Sequence, residues 1–244
     1  MILQFPYKVR YQDTDCYRRL KLPVLEEYLL DVAGQAADFL GIGYDVLLQR
    51  RLAWVLIRIT MQMRELPTLG TDLIIETWVS GFAHALSPRF FRIYRKSTDG
   101  GQEEIGRAAS VWTILNLDTR QMENIFTEDM FQQIETHEEL PISFARVRKI
   151  ENTQTTKHIV TYSDLDYNNH CNSCKYLAIM LDASSGIIAD NHPLTVDLSY
   201  QREVHKGDEL TVRYAECEDY TEYAVCMPEG TTAVTGRISK ITNF

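Results

Sequence analysis

The sequence predicts an α+β fold in which one domain occurs twice. Three observations carry that prediction. Each half holds one long helical pattern followed by strands that alternate apolar and polar residues. Each half opens on a strand that ends in an acidic turn. Landmarks also recur: Tyr11, Asp13 and Asp15 each precede Tyr162, Asp164 and Asp166 by 151 positions, and Arg64-Glu65 precede Arg202-Glu203 by 138. The 13-residue shortfall fits an extra segment, YDVLLQRRL at 44–52, in the first half. A repeat of this length means a duplicated domain, not a solenoid.

The elements follow in order. Residues 2–15 read as a strand, with Ile2, Phe5, Tyr7, Val9 and Tyr11 in imperfect alternation before Asp13-Thr14-Asp15. Pro23 stands where a first helical turn tolerates it. Leu25, Tyr28, Leu29, Val32, Ala36, Phe39 and Leu40 then recur at helical spacing, until Gly41 and Gly43 stop the pattern. Residues 44–52 add a short helix. Strands are expected at 54–65, 73–82, 88–97 and 103–121, with Thr98-Asp99-Gly100-Gly101 as a hairpin turn. The polar stretch 122–150 reads as a short helix and then a linker. The second half gives a strand at 158–166, a helix at 174–190, and strands at 194–203, 208–217, 222–227 and 232–241. The expected domains are 1–140 and 153–244, joined by a linker at 141–152.

Composition narrows the class. Hydrophobic content of 45% and charged content of 24% over 244 residues are those of an ordinary globular chain. A net charge of −9 argues against nucleic acid as the partner. Five cysteines, an odd number, argue against a disulfide scaffold. The opening MILQFPYKVRYQ lacks the basic and apolar regions of a secretory signal, and no apolar run approaches the ~20 residues of a membrane span. A reducing cytoplasm is the expected compartment. No Gly-rich phosphate loop, no G-x-S-x-G elbow and no zinc-spaced Cys/His set occurs, so no cofactor or metal is expected.

Two stretches hold the candidate chemistry: SDLDYNNHCNSCKY at 163–176, with Asp166, Asn168 and His170 at alternate positions, and SYQREVHKGDEL at 199–210, with Glu203 in an apolar-flanked strand pattern. The first is similar to the D-x-N-x-H-x-N-N-x-K-Y stretch of acyl-acyl carrier protein thioesterases of the plant and bacterial type. ASVWTILNLDTRQ at 109–121 resembles that family's S-V-W-x-x-M-N-x-D-T-R-R stretch, and SYQREV at 199–204 its E-Y-R-R-E-C stretch. The resemblance spans nearly the whole chain. It implies two tandem hotdog domains, each a long helix wrapped by an antiparallel sheet, with the sheets joined. It implies hydrolysis of fatty acyl-carrier thioesters and an acyl carrier protein as partner. It places the catalytic site in the second domain and the fatty chain in the first, near Trp54, Ile57 and Ile59.

Several readings stay open. An acyl-CoA thioesterase on the same fold and a non-catalytic acyl-binding protein are the alternatives, and homodimerisation is not decided. Either Arg89, Arg92, Arg95 and Lys96, or Arg146, Arg148 and Lys149, would meet an acidic carrier. Each cluster reads equally well as a solvated face.

In an extended segment, Asp166, Asn168 and His170 share one face. A helix starting near Asn172 would aim its N–H groups at the same space, where the oxyanion of an attacked thioester forms. Glu203 would activate a water, with burial pushing its carboxyl toward neutrality. His170 would orient that water or protonate the leaving thiolate. Asn168 would hold the carbonyl or the water, and Asp166 would fix Asn168 or His170. Alone, the D-x-N-x-H triplet reads as a helix cap and Glu203 as an exposed strand residue. The repeat changes the balance: Asp15 persists in the first half, while Tyr17 and Arg19 stand where Asn168 and His170 do. The first half is therefore read as a decayed copy, with Asp13, Asp15, Arg64 and Glu65 as structural remnants. An older reading of the family places a nucleophilic Cys directly after the Glu; here that position is Val204. Cys171 and Cys174 read as packing at a helix start.

Overall fold

In a computed structural model the described residues are 1–81, 85–97, 100–124, 138–144, 150, 153–242 and 244. They divide into two compact units: Met1–Ile59 with Leu66–Ile142, and Thr60–Glu65 with Ser143–Phe244. By its contacts Thr60–Glu65 groups with the second unit, although the sequence limits leave it in the first.

The first unit opens with strand β1, Leu3–Lys8. Helix α1, Leu22–Phe39, carries Pro23 in its first turn and runs about five turns, as its apolar spacing predicts. A short helix α2, Tyr44–Gln49, leads into β2, Leu52–Met63. Strands β3, Asp72–Val79, β4, Leu86–Lys96, and β5, Gln102–Asn116, follow, with a two-residue β6, Met122–Glu123, paired to β5. The sheet order is β1-β3-β4-β5-β2, and β1/β3, β3/β4 and β4/β5 are antiparallel. Leu25, Leu29, Val32 and Ala36 of α1 are wholly buried, as are Leu73, Ile75, Phe91 and Ile93 of the sheet. That is the apolar stripe of an amphipathic helix laid on a sheet face.

The second unit repeats the plan. Strand β7, Gln154–Ile159, precedes helix α3, Ser173–Ala183. Strands β8, Leu194–Tyr200, β9, Glu209–Glu216, β10, Tyr220–Cys226, and β11, Thr232–Lys240, complete it in the antiparallel order β8-β11-β10-β9-β7. Gly236 of β11 lets α3 approach closely: a Cβ there would lie 2.5 Å from Met180 Sδ and 3.0 Å from Leu198 Cδ2.

Several expectations are corrected. The first strand stops at Lys8, and Tyr11–Asp13 form a single 3-10 turn. The second-half helix ends at Ala183, not 190. Ser184 is extended at φ −157°, with its carbonyl accepting from Tyr223 Oη at 2.7 Å and its hydroxyl bonded to Glu216. Only a 3-10 turn, Gly186–Ile188, follows. The strand expected at 194–203 stops at Tyr200, because Gln201 N and Arg202 N both turn to Ala233 O. Met122–Glu123, at the start of the helix-and-linker stretch expected at 122–150, form β6 instead; residues 125–137 of that stretch, Thr98 and Asp99 of the hairpin, and Arg146, Arg148 and Lys149 lie outside the described residues. Among the described residues no helix is long and apolar enough to cross a membrane.

Candidate active site

The loop between β7 and α3 is organised by one carboxylate. Asp166 Oδ1 accepts from Asn168 N at 2.8 Å and from His170 N at 3.0 Å. Asp166 N returns a bond to His170 O at 2.8 Å, and Asn169 N donates to Asp166 O at 3.1 Å. Asn169 takes the left-handed conformation at φ 63°, which asparagine tolerates better than most residues. The loop is pinned at its base: Asn172 N donates to Asp164 O at 2.7 Å and Cys171 N to Val204 O at 2.8 Å. The second contact brings the 201–205 segment alongside, and His170 and His205 form an isolated antiparallel bridge.

Through these bonds His170 meets Glu203, with Nδ1 3.8 Å from Oε1 and side chains 27% and 36% exposed. Asp166, His170 and Glu203 thus come together as expected, but Glu203 sits in irregular chain and is half-exposed, not buried in a strand. Asp166 fixes its neighbours through their backbone N–H groups. Asn168 is exposed, and among the described residues its side-chain amide makes no hydrogen bond. The helix start serves the site less than expected. Asn172 is the N-cap: its Oδ1 accepts from Cys174 N at 3.1 Å and its carbonyl from Lys175 N at 2.9 Å. Those two donors are therefore occupied.

Both thiols of this stretch are buried. Burial pushes Cys171 up to about 12, and Cys174 is 2% exposed. Val204 is fully buried.

The first unit has the same loop with other side chains. Asp15 Oδ1 accepts from Tyr17 N and Arg19 N, each at 2.9 Å, and Arg18 stands at φ 63°. Lys21 N donates to Asp13 O at 2.9 Å, and Leu20 N to Pro67 O at 2.8 Å. Each of these bonds has its equivalent 151 residues later on the loop side. On the opposing side, Pro67 matches Val204, and the bridge of Arg19 with Thr68 matches that of His170 with His205. The structural offset there is therefore 137, not 138. Leu66, not Glu65, stands where Glu203 does. The Arg-Glu pairs matched by identity are one residue out of register.

Arg19 closes the first loop. Its Nη2 lies 3.2 Å from Asp15 Oδ2, with the two side chains only 6% and 15% exposed, and its guanidinium stacks 4.5 Å from the Tyr17 ring. In the second loop no described residue bonds Asp166 Oδ2, so that oxygen is open to a water or a ligand.

The comparisons with known proteins follow this division. The family model described as the acyl-ACP thioesterase N-terminal domain matches residues 3–134, and that of the C-terminal domain matches 147–239. The chain belongs to the acyl-ACP thioesterase family. It is 27% identical over 209 residues to a chloroplastic palmitoyl-acyl carrier protein thioesterase of Gossypium hirsutum, covering 80% of this chain and 49% of that protein. It is 25% identical over 222 residues to a chloroplastic oleoyl-acyl carrier protein thioesterase of Arabidopsis thaliana, covering 83% and 60%. The chain thus spans about half of the first of these curated relatives. A solved acyl-ACP thioesterase from Bacteroides thetaiotaomicron superposes with TM-score 0.87 at 26% identity, covering 98% of this chain and 97% of that one. The 12:0-ACP thioesterase from Umbellularia californica gives 0.84 at 19% identity, covering 98% and 96%, a likeness of fold. The tandem hotdog architecture expected from the motifs is the one these structures share.

Two other expectations for an acyl-ACP thioesterase family member change. Arg89, Arg92, Arg95 and Lys96 do not form a free cationic face. Arg89 is 6% exposed, donates to Thr77 Oγ1 at 3.1 Å, and is held below its usual range, at about 10, by burial. Arg92 pairs with Glu138, and Arg95 with Glu103 at 2.6 Å. Trp54 is half-buried, donates from Nε1 to Ile42 O at 2.9 Å, and packs beside Ala37, Ile42 and Val79. An unbroken strand points it away from Ile57 and Ile59, so the three do not form one lining.

Proposed function

We propose that the chain hydrolyses fatty acyl-acyl carrier protein thioesters to the free fatty acid and the carrier thiol. Family membership supports the reaction, and both plant relatives named above are carrier-protein thioesterases. The observation that carries the assignment of residues is the His170–Glu203 approach of 3.8 Å, in the unit where Arg19 and Leu66 are replaced. Glu203 takes a proton from a water, whose oxygen adds to the thioester carbonyl carbon. The side-chain amide of Asn168 faces the developing oxyanion. As the carbon–sulfur bond breaks, His170 delivers a proton to the thiolate, and the proton taken up by Glu203 passes to His170, restoring both groups. Asp166 holds Asn168 and His170 in place through their N–H groups. Positioned acid–base groups contribute roughly 10²–10⁴-fold, and one oxyanion donor about 10²–10³-fold.

Carrier docking falls to cations other than the paired arginines of β4. Arg202 and Lys206 are exposed, flank Glu203 and His205, and make no ion pair with any described residue. An acidic carrier brings charge complementary to them. The test is a hydrolysis panel over chain lengths on carrier-linked and CoA thioesters, with Glu203→Gln and the charge reversal R202E/K206E. Loss of turnover in Glu203→Gln on both substrates, and loss confined to carrier-linked substrates in the reversal, support the reading. Preserved turnover in Glu203→Gln overturns it.

A further inference from the structure

The second unit holds one more imidazole beside its candidate site. His205 lies two residues after Glu203 and across the bridge from His170. The two rings meet edge to face, with centroids 5.0 Å apart and planes at 70°. That is the geometry aromatic pairs prefer. The backbone of His205 is fixed in turn, because its N–H donates to Asp208 Oδ2 at 2.9 Å. Glu203 and His205 therefore approach His170 from one short segment, itself pinned by the Cys171 N to Val204 O bond.

The first unit supplies the contrast. At the same bridge Arg19 faces Thr68, a residue with no ring. Four positions thus change together between the copies: Tyr17 to Asn168, Arg19 to His170, Leu66 to Glu203 and Thr68 to His205. Three of these are residues of the proposed site, and the fourth touches one of them.

We infer that His205 is a positioning residue for the hydrolysis: its ring braces the His170 imidazole so that Nδ1 stays on Glu203. His170 is 27% exposed and sits in a loop, so backbone bonds alone leave its ring free to turn. An edge-to-face ring removes that freedom without consuming either ring nitrogen. This rests on the reading of His170 and Glu203 given above.

Steady-state hydrolysis of acyl-carrier thioesters by His205→Ala, His205→Phe, His170→Ala and the double variant H170A/H205A tests it. An aromatic contact of this kind predicts a kcat loss of roughly 3- to 10-fold in His205→Ala, with KM within about twofold. His205→Phe keeps a ring and recovers most of the loss. In the His170→Ala background His205→Ala costs nothing further, because the ring it braces is gone. A structural role would instead lower both backgrounds alike. Wild-type kcat in His205→Ala, or no recovery in His205→Phe, overturns the inference. If His170→Ala is itself fully active, the site reading fails first. A melting temperature for each variant separates these outcomes from unfolding.

Discussion

The loops 13–21 and 164–172 share their backbone bonds and differ in what they leave open. In both, an aspartate Oδ1 caps two N–H groups, and a helix begins directly afterwards, at Leu22 or Ser173. In the first, Arg19 fills the space with a guanidinium on Asp15, and the buried Leu66 takes the position equivalent to Glu203. In the second, His170 stays accessible and meets Glu203. The backbone frame is shared, so what differs between the loops is their side chains, at four positions; Asp166 by itself does not distinguish the two, since Asp15 makes the same bonds.

Breaking the second loop should cost most. Glu203→Gln should lower hydrolysis by at least about 10²-fold, with the melting temperature unchanged, in a spectrophotometric assay of thiol release. Asp166→Ala should release the His170 and Asn168 backbone and cut turnover by roughly tenfold or more, because sub-ångström placement is lost. The equivalent change in the first loop should separate stability from chemistry. Asp15→Ala removes the carboxylate from a largely buried guanidinium and should destabilise by about 3 kcal/mol in urea titration, while the surviving folded protein turns over normally.

A pH series sharpens what the copies share. Burial pushes Asp13 up, but hydrogen bonds from Arg10 and Tyr28 outweigh it and hold the carboxyl below its usual range. Asp164 behaves alike: burial raises it, and bonds from Thr161 and His158 bring it below. A carboxyl lowered in the folded state stabilises above its unfolded value of about 3.9, and that stability is lost as pH falls through the folded value. Thermal melts should be level near neutrality and fall below about pH 4, with a shallower fall in Asp13→Asn and in Asp164→Asn. The smallest effect tests the register: Glu65→Gln, one residue off the Glu203 position, should leave kcat/KM within about twofold.

Much of the frame was legible. Helix α1 showed in its apolar spacing and Pro23, and the start of α3 in the cap residue Asn172, because helix periodicity and capping are local. The end of α3 was not, since Ile187 and Ile188 continue the apolar pattern while Tyr223 and Glu216, distant in sequence, draw Ser184 out of the helix. The burial of Arg89 was half-legible. Arg89, Arg92 and Arg95 are three apart, and a strand with period two cannot present all of them on one face. The offset of 138 rests on a two-residue identity, whereas the hydrogen-bonded pairing that sets 137 has no local signature in the sequence. His205 is hidden for the same reason: its partner lies 35 residues earlier. The alternation of Glu203 and His205 was the available signal.

The most direct test of a site confined to the second unit is single-turnover hydrolysis of an acyl-carrier thioester by His170→Ala beside Thr68→Ala, the changes at two sides of the equivalent bridges. The account predicts a loss of at least about 10²-fold in His170→Ala and a rate within about twofold of the unaltered protein in Thr68→Ala. Unchanged turnover in His170→Ala, with folding intact in both, would contradict it.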